Sequence, residues 1–123
     1  MTIIEAVNQI DNLKRNTFSQ KQKIIWLSRL ESMVKRLVID THEGGEDVSF
    51  DGFTENTDLQ TVLMMPEPFD EAYIFWLEAQ IHYANEDIDM YNSAIMMFNT
   101  SFEGYKAYYK QNHRPKGAGR FRF

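Results

Sequence analysis

Apolar residues in the first forty positions recur at the three- and four-residue spacing of an amphipathic helix. Thr2 and Glu5 match a capping box, in which each side chain satisfies a free backbone N–H at the helix start. Ser19 and Gln22 match a second one. The pattern predicts two helices joined by a short turn near Asn16–Thr17. The apolar positions that support them are Ala6, Val7, Ile10 and Leu13 in the first helix, and Leu27, Leu30, Val34 and Leu37 in the second.

Helical patterning stops at Thr41, and residues 42–68 carry turn signals instead. Gly44–Gly45 and Asp51–Gly52 are typical of turns, and Thr61–Met65 is a short strand-like run before two prolines. A connection of 27 residues is long for a compact domain, and such loops are usually functional or mobile. We predict an extended loop or a hairpin over this segment.

From Phe69 the helical signal returns and is the strongest in the chain. A heptad seam of apolar residues continues for five heptads with no proline inside it. It predicts one helix over residues 69–112, or two helices if Asn85–Asp87 caps a restart. A second apolar stripe also repeats every seven residues, and either the other helices or a neighbouring subunit must cover it. The seam consists of Ile74, Leu77, Ile81, Ala84, Ile88, Tyr91, Ile95, Phe98, Phe102, Tyr105 and Tyr109, and the stripe, a candidate subunit interface, consists of Trp76, Tyr83, Met90 and Met97.

These elements predict an all-α fold: a small bundle of three to four helices over residues 1–112, followed by a flexible basic tail at residues 113–123. Pro115 and two later glycines exclude a helix in the tail. A tail of this kind is either a free terminus or a segment that orders on a partner, and its alternating Arg and Phe favour the second. The residues assigned to partner binding are Lys106, Lys110, Arg114, Lys116, Arg120, Phe121, Arg122 and Phe123.

Charge is strongly segregated along the 123 residues, whose net charge is −5. Residues 1–36 hold seven Lys/Arg and three acids, residues 37–105 hold fifteen acids and no base, and residues 106–123 hold six bases and no acid. The acidic middle is either a solvated face or a determinant of association.

The absence of cysteine excludes disulfides and thiolate sites. Without a signal peptide or a stretch of about 20 apolar residues, we expect a soluble protein with no membrane partner.

One segment of the acidic middle partly matches a calcium-binding loop. Asp47, Ser49, Asp51, Glu55 and Asp58 occupy five ligand positions of such a loop, with glycine at the sixth position. The last ligand is Asp where a bidentate Glu is usual, and no helix follows immediately. Since an ordinary tight turn explains the glycine equally well, these residues remain candidates only and we expect no metal.

The remaining candidates for chemistry are the histidines and the carboxylates. His82 has Glu78 and Glu86 four residues away on either side, an arrangement typical of surface ion pairs and occasionally of a metal site. No Ser/Cys–His pattern and no glycine-rich phosphate loop occurs. We therefore expect a protein that is not an enzyme and has no cofactor.

Nucleic-acid binding is the other class to consider. Five basic residues of the second helical region could face phosphates, but the acidic middle would repel DNA. This leaves a small cytoplasmic DNA-associated or regulatory protein as the alternative function. The five residues, all predicted to be exposed, are Lys21, Lys23, Arg29, Lys35 and Arg36.

Several strings of the sequence resemble head–tail connector proteins, the head-completion adaptors of siphophages and prophages. The likeness extends over nearly the whole chain, and its motifs are structural and carry no catalytic signature. The strings are Tyr73–Ile81, Tyr91–Ser93 and Met97–Asn99, together with Asn8–Leu13, Gln22–Leu27 and His113–Gly117.

The resemblance implies a subunit of a ring, commonly of twelve copies, that sits beneath the portal in the neck of the virion. Such a ring extends the DNA channel and provides the attachment site for the tail. Its partners would be the portal protein, the next neck or tail-completion protein and further copies of itself, with DNA only as passing cargo. Before assembly the protein would be in the host cytoplasm, where it could be a monomer. By position, residues 106–123 would dock on the portal, and residues 42–68 would face the channel or the next ring.

Overall fold

The computed structural model describes residues 1–116, and in this range the chain is helical and contains no strand. The predicted all-α bundle is therefore confirmed, with four α-helices and a long loop between the second and third. The helices are α1 (Ile3–Leu13), α2 (Gln20–Val34), α3 (Glu71–Ala84) and α4 (Ile88–Asn112); a π-helical turn (Lys35–Ile39) extends α2, and a 3-10 turn (Gly45–Asp47) follows it.

The two N-terminal helices begin at the predicted caps. Glu5 N donates to the Thr2 hydroxyl at 3.2 Å, and Thr2 N donates to the Glu5 carboxylate at 3.0 Å, which completes the capping box. The bond from the Thr2 backbone lowers the pKa of Glu5. At α2, Gln22 N donates to the Ser19 hydroxyl at 3.1 Å. Local side-chain chemistry thus fixes where both helices begin.

A buried lysine holds the turn between α1 and α2. The Lys23 ammonium donates to the Asp11 carboxylate at 2.6 Å and to the Phe18 carbonyl at 2.8 Å, and the side chain is almost completely buried. This corrects the prediction that Lys23 belongs to an exposed basic side. Lys35 is also engaged, since its ammonium pairs with the Asp40 carboxylate. Of the five basic residues of the predicted second helical region, Lys21, Arg29 and Arg36 are exposed.

Helix α3 is the centre of the bundle. Its buried residues point in nearly all directions around the helix axis, as expected of a helix that is covered on every side. Helices α1, α2 and α4 all pack on it, whereas α2 and α4 have no substantial contact with each other. The two therefore cover different flanks of α3. The buried residues are Ala72, Tyr73, Ile74, Leu77, Ala79 and Ile81.

The turn at Asn85–Asp87 separates α3 from α4, which decides the open question in favour of two helices. Glu86 has a positive φ of 60°, and Met90 N donates to the Asp87 carboxylate at 3.2 Å to cap α4. The chain reverses here and α4 packs back along α3. The heptad seam is thus divided between two helices, and Ile88 at the turn is exposed.

The loop over residues 42–68 is extended and packs against α1. The strand-like run pairs with the N-terminus through a single bridge between Thr2 and Val62, not through a hairpin. Ile3 N donates to the Thr61 carbonyl at 3.0 Å and Ile4 N to the Leu59 carbonyl at 3.0 Å. Loop carbonyls thereby satisfy N–H groups that the first turn of a helix leaves free.

A buried carboxyl group joins this loop to α2 and α3. Glu31 on α2 accepts hydrogen bonds from Met64 N at 2.9 Å and from the Tyr73 hydroxyl, which in turn accepts one from Met65 N at 2.8 Å. Glu31 is 1% exposed and Tyr73 is 0% exposed. Burial raises the pKa of Glu31 to about 7 against an ordinary value of 4.5, although the bonds from Tyr73 and Met64 oppose this rise.

The raised pKa of Glu31 predicts that the protein loses stability as pH rises. Between pH 4.5 and about 7 the unfolded chain ionises at Glu31 while the folded chain keeps the proton. The stabilisation is therefore complete below the unfolded pKa and is lost as pH passes through the folded pKa, by about 3 kcal/mol in total. Urea unfolding at a series of pH values measures this slope.

Glu31→Gln is the matched control, because glutamine has nearly the same shape, its amide oxygen can accept one of the two hydrogen bonds that Glu31 accepts, and it does not ionise. We expect its unfolding free energy to be nearly flat over the same pH range. Glu31→Leu should be destabilised by about 1–3 kcal/mol for each group left without a partner. An unchanged slope in the Gln variant would show that another group is responsible.

Candidate interaction surfaces

The predicted subunit-interface stripe is only partly exposed. Trp76 is engaged inside the chain: its Nε1 donates to the Trp26 carbonyl at 2.9 Å, and its ring lies 5.2 Å from that of Phe98. Tyr83, Met90 and Met97 are 62%, 41% and 52% exposed. The structure therefore removes Trp76 from the candidate interface and keeps the other three.

These three side chains do not form a single stripe, because they are divided between two helices. Tyr83 lies beside Tyr91, with ring centroids 5.4 Å apart. At 100° per residue, Met90 and Met97 lie about 100–120° away from Tyr91 around the α4 axis. Met96, 67% exposed, extends the methionine side. One exposed face of α4, which we call the α4 face, thus consists of Asp89, Met90, Met96 and Met97.

The charges around the α4 face are all acidic. Glu86, Asp87 and Asp89 surround the start of α4 and are exposed, and the next basic residue along the helix is Lys106. Acidic residues at a helix N-terminus are stabilised by the helix dipole. The face therefore combines adaptable apolar side chains with net negative charge.

The outer side of α2 has the opposite charge. Lys21, Ile25, Arg29 and Arg36 are exposed and fall within an arc of about 80° around the helix axis. Exposed Leu37 follows Arg36 on the π-helical turn that extends α2. The only acid on α2 is Glu31, which is buried. We call the surface formed by these five exposed residues the α2 face.

A groove borders the α2 face on the side of the long loop. It has a volume of about 560 Å³ and lies between α1, the start of α2 and residues 53–59. Lys21 and Ile25 belong to both the groove and the α2 face. Its lining is largely apolar and includes Ile3, Ile24, Phe53 and Leu59. The α2 face is thus continuous with a concave apolar surface.

The beginning of the predicted tail is fastened to the beginning of the loop. His42 and Pro115 form an isolated bridge; Glu43 N donates to the Arg114 carbonyl at 2.7 Å, and Lys116 N donates to the Thr41 carbonyl at 2.9 Å. We call this pairing of residues 41–43 with 114–116 the clasp. No spacing pattern in the sequence links these segments, which are more than seventy positions apart.

The Tyr109 ring packs against two histidines at the clasp, His42 and His113. The His113 ring is stacked on Tyr109 with centroids 3.8 Å apart and an interplanar angle of 5°. The His42 ring lies edge-on to the same tyrosine at 5.0 Å. Burial raises the pKa of Tyr109. These contacts fix the last described residues of the chain relative to α4.

The described basic residues assigned to partner binding lie along the end of α4 and in the clasp. Lys106 pairs with Glu103 at 2.6 Å and lies 5.4 Å above the Phe102 ring. Arg114 approaches the Glu43 carboxylate at 4.0 Å, and Lys110 and Lys116 are exposed. The other members of the set, Arg120, Phe121, Arg122 and Phe123, lie outside the described residues.

The candidate metal ligands do not converge. Among residues 1–116 no three His, Cys, Asp or Glu side chains are placed to hold a metal ion, so Asp47, Ser49, Asp51, Glu55 and Asp58 do not form a calcium loop. The glycine of that segment, Gly52, has a φ of 95°, a conformation that favours glycine, although residues 51–54 form no hydrogen-bonded turn.

His82 also lacks the geometry of a metal ligand. Its Nε2 lies 3.5 Å from a Glu78 oxygen and is buried without a hydrogen-bond partner. Lys14 pairs with the same carboxylate at 3.2 Å. Glu86 lies in the turn after α3 and does not complete a set of three ligands. The Lys14–Glu78 pair is therefore an ionic contact between α1 and α3, and the His82 ring lies beside it.

Comparison with known protein families, with curated proteins and with solved structures finds no match for this chain. No helix in the described range is long and apolar enough to cross a membrane. The described residues present three surfaces that bear on function: the α4 face, the α2 face with its groove, and the clasp.

The clasp predicts the effect of replacing Tyr109. Tyr109→Ala removes the ring between His42 and His113, so the amides of Glu43 and Lys116 should exchange with solvent at least about tenfold faster. Amides in α3 should keep their protection. Hydrogen exchange measured by NMR tests this, with Tyr109→Phe as the control that keeps the ring. Equal exchange in the wild type and the Ala variant would show that the backbone pairing needs no aromatic support.

Proposed function

We propose that this protein is a non-enzymatic structural component of a tailed phage particle, a head–tail connector that forms a ring beneath the portal. The observation that carries the proposal is the pair of exposed, oppositely charged faces on different helices of one small domain. Such faces suit repeated association of identical subunits. The resemblance of the sequence to connector proteins supplies the phage context.

The proposal assigns a separate role to each surface. The helices form the body of the ring, and the clasp fixes the point from which the C-terminal segment continues to the portal. The loop over residues 42–68 holds seven acids and no base and would face the DNA channel or the next neck component. An acidic channel wall repels the phosphate backbone, so that passing DNA does not adhere.

The portal-binding role predicts a complex with the portal protein encoded in the same genome. Replacing Phe121 and Phe123 by Ala should weaken this complex by about a hundredfold or more, because each buried phenylalanine contributes about 1.5–3 kcal/mol. Leu13→Ala, a change at an exposed apolar residue on α1, should have no effect. Co-sedimentation measures the affinity, and electron microscopy shows whether a ring has formed on the portal. The absence of any complex would refute the portal-binding role.

The alternative is a small cytoplasmic protein that associates with DNA or regulates the phage, and one observation favours it. The α2 face presents Lys21, Arg29 and Arg36 with no exposed acid on the same helix, as a phosphate-binding surface would. The two functions differ in a simple observation: a connector co-purifies with mature particles. A DNA-associated protein binds duplex DNA with an affinity that falls steeply with salt, and Arg29→Ala would weaken it.

A further inference from the structure

The α4 face and the α2 face have complementary chemistry. Three methionines on the α4 face are exposed beside Asp89 and Glu86, and in this part of the chain there is no basic residue. The α2 face sets Ile25 and Leu37, 38% and 56% exposed, among three basic residues. Apolar side chains left in water favour association, and opposite charges favour it in a defined orientation.

The α4 face is shorter than the α2 face and fits within its length. Helical rise places Lys21 and Arg36 about 22 Å apart along α2, and Asp89 and Met97 about 12 Å apart along α4. The α4 face begins beside the turn between α3 and α4, whereas the α2 face continues into the groove of about 560 Å³. Methionine is flexible and polarisable and adapts to apolar surfaces of this kind.

The two faces belong to different flanks of the same subunit, because α2 and α4 cover different flanks of α3. A contact between them cannot form within one chain. It must join the α4 face of one copy to the α2 face of another, and the second copy then offers its own α4 face to a third. A contact of this heterologous kind generates a ring or an open filament.

We propose that the α4 face of one copy docks on the α2 face and groove of the next, with Met97 against Ile25 and Glu86 and Asp89 near Lys21 and Arg29. This inference specifies the subunit contact of the ring and rests on the proposed function for its biological setting. The contact itself is a property of the free protein.

Cysteine cross-linking tests the contact directly, because the chain contains no cysteine. Met97→Cys and Ile25→Cys are prepared as separate proteins and mixed with a short bis-maleimide. The mixture should give a cross-linked dimer that neither variant gives alone. A protein that carries both changes should give a ladder of multimers. As the matched control, Ile25→Cys is replaced by Glu67→Cys, an exposed position that belongs to neither face, and no dimer should form.

Charge reversal tests the orientation. Glu86→Lys with Asp89→Lys on the Met97→Cys protein should reduce the dimer yield about tenfold, and so should Lys21→Glu with Arg29→Glu on the Ile25→Cys protein. Combining the two reversed proteins should restore the yield to within about twofold. Glu46→Lys with Glu67→Lys changes the net charge equally at exposed residues that belong to neither face, and it should leave the yield unchanged. Thermal unfolding confirms that each variant is folded.

Three results would overturn the proposal. Cross-linking of Met97→Cys to itself as efficient as in the mixture would show a symmetric contact. No dimer at millimolar protein would show that the faces bind a different partner. If charge reversal left the yield of dimer unchanged, the charges would not determine the orientation of the contact. None of these experiments includes a portal protein, so failure of portal binding and failure of this contact are distinguishable.

Discussion

The carboxyl group of Glu31 connects three parts of the chain that are remote in sequence, and much of the fold depends on it. It lies on α2, accepts from Tyr73 on α3, and accepts from Met64 N in the long loop. Buried backbone N–H groups need an acceptor, so this carboxyl group and the Tyr73 hydroxyl determine where the loop enters the core. The preceding residues of the loop then lie against the start of α1 and accept its free N–H groups. The position of α1 thus depends on Glu31 through the loop.

The sequence predicted the periodic parts of the fold well, because burial of an apolar stripe leaves a regular pattern. It could not predict the burial of Glu31 or of Lys23, since a charged residue in a helix is ordinarily exposed. The partners that make their burial tolerable, Tyr73 and Asp11, are set by the tertiary fold and by no local spacing. Nor could the seam distinguish one helix from two, because its rhythm continues through Asn85–Asp87 although the chain reverses there.

The candidate surfaces show the same division between local and tertiary information. Two of the three exposed methionines, Met90 and Met97, were predicted from their seven-residue spacing, which is a local property. Trp76 has the same spacing yet turns inward, because the Trp26 carbonyl and the Phe98 ring lie within its reach. The clasp brings Thr41–Glu43 to Arg114–Lys116 and has no local signal at all. Sequence reasoning therefore finds faces, whereas contacts between distant segments require the structure.

Charge segregation also determines which contacts between copies are disfavoured. Two α4 faces would bring Glu86 and Asp89 against their own counterparts, and two α2 faces would oppose Lys21 and Arg29 in the same way. Like charges at an interface cost free energy and exclude such partners. A symmetric dimer, the commonest way for a small protein to cover exposed apolar residues, is thereby penalised in both of its forms. The remaining arrangement is directional, with each subunit oriented like the one before it, and a directional contact that closes on itself forms a ring.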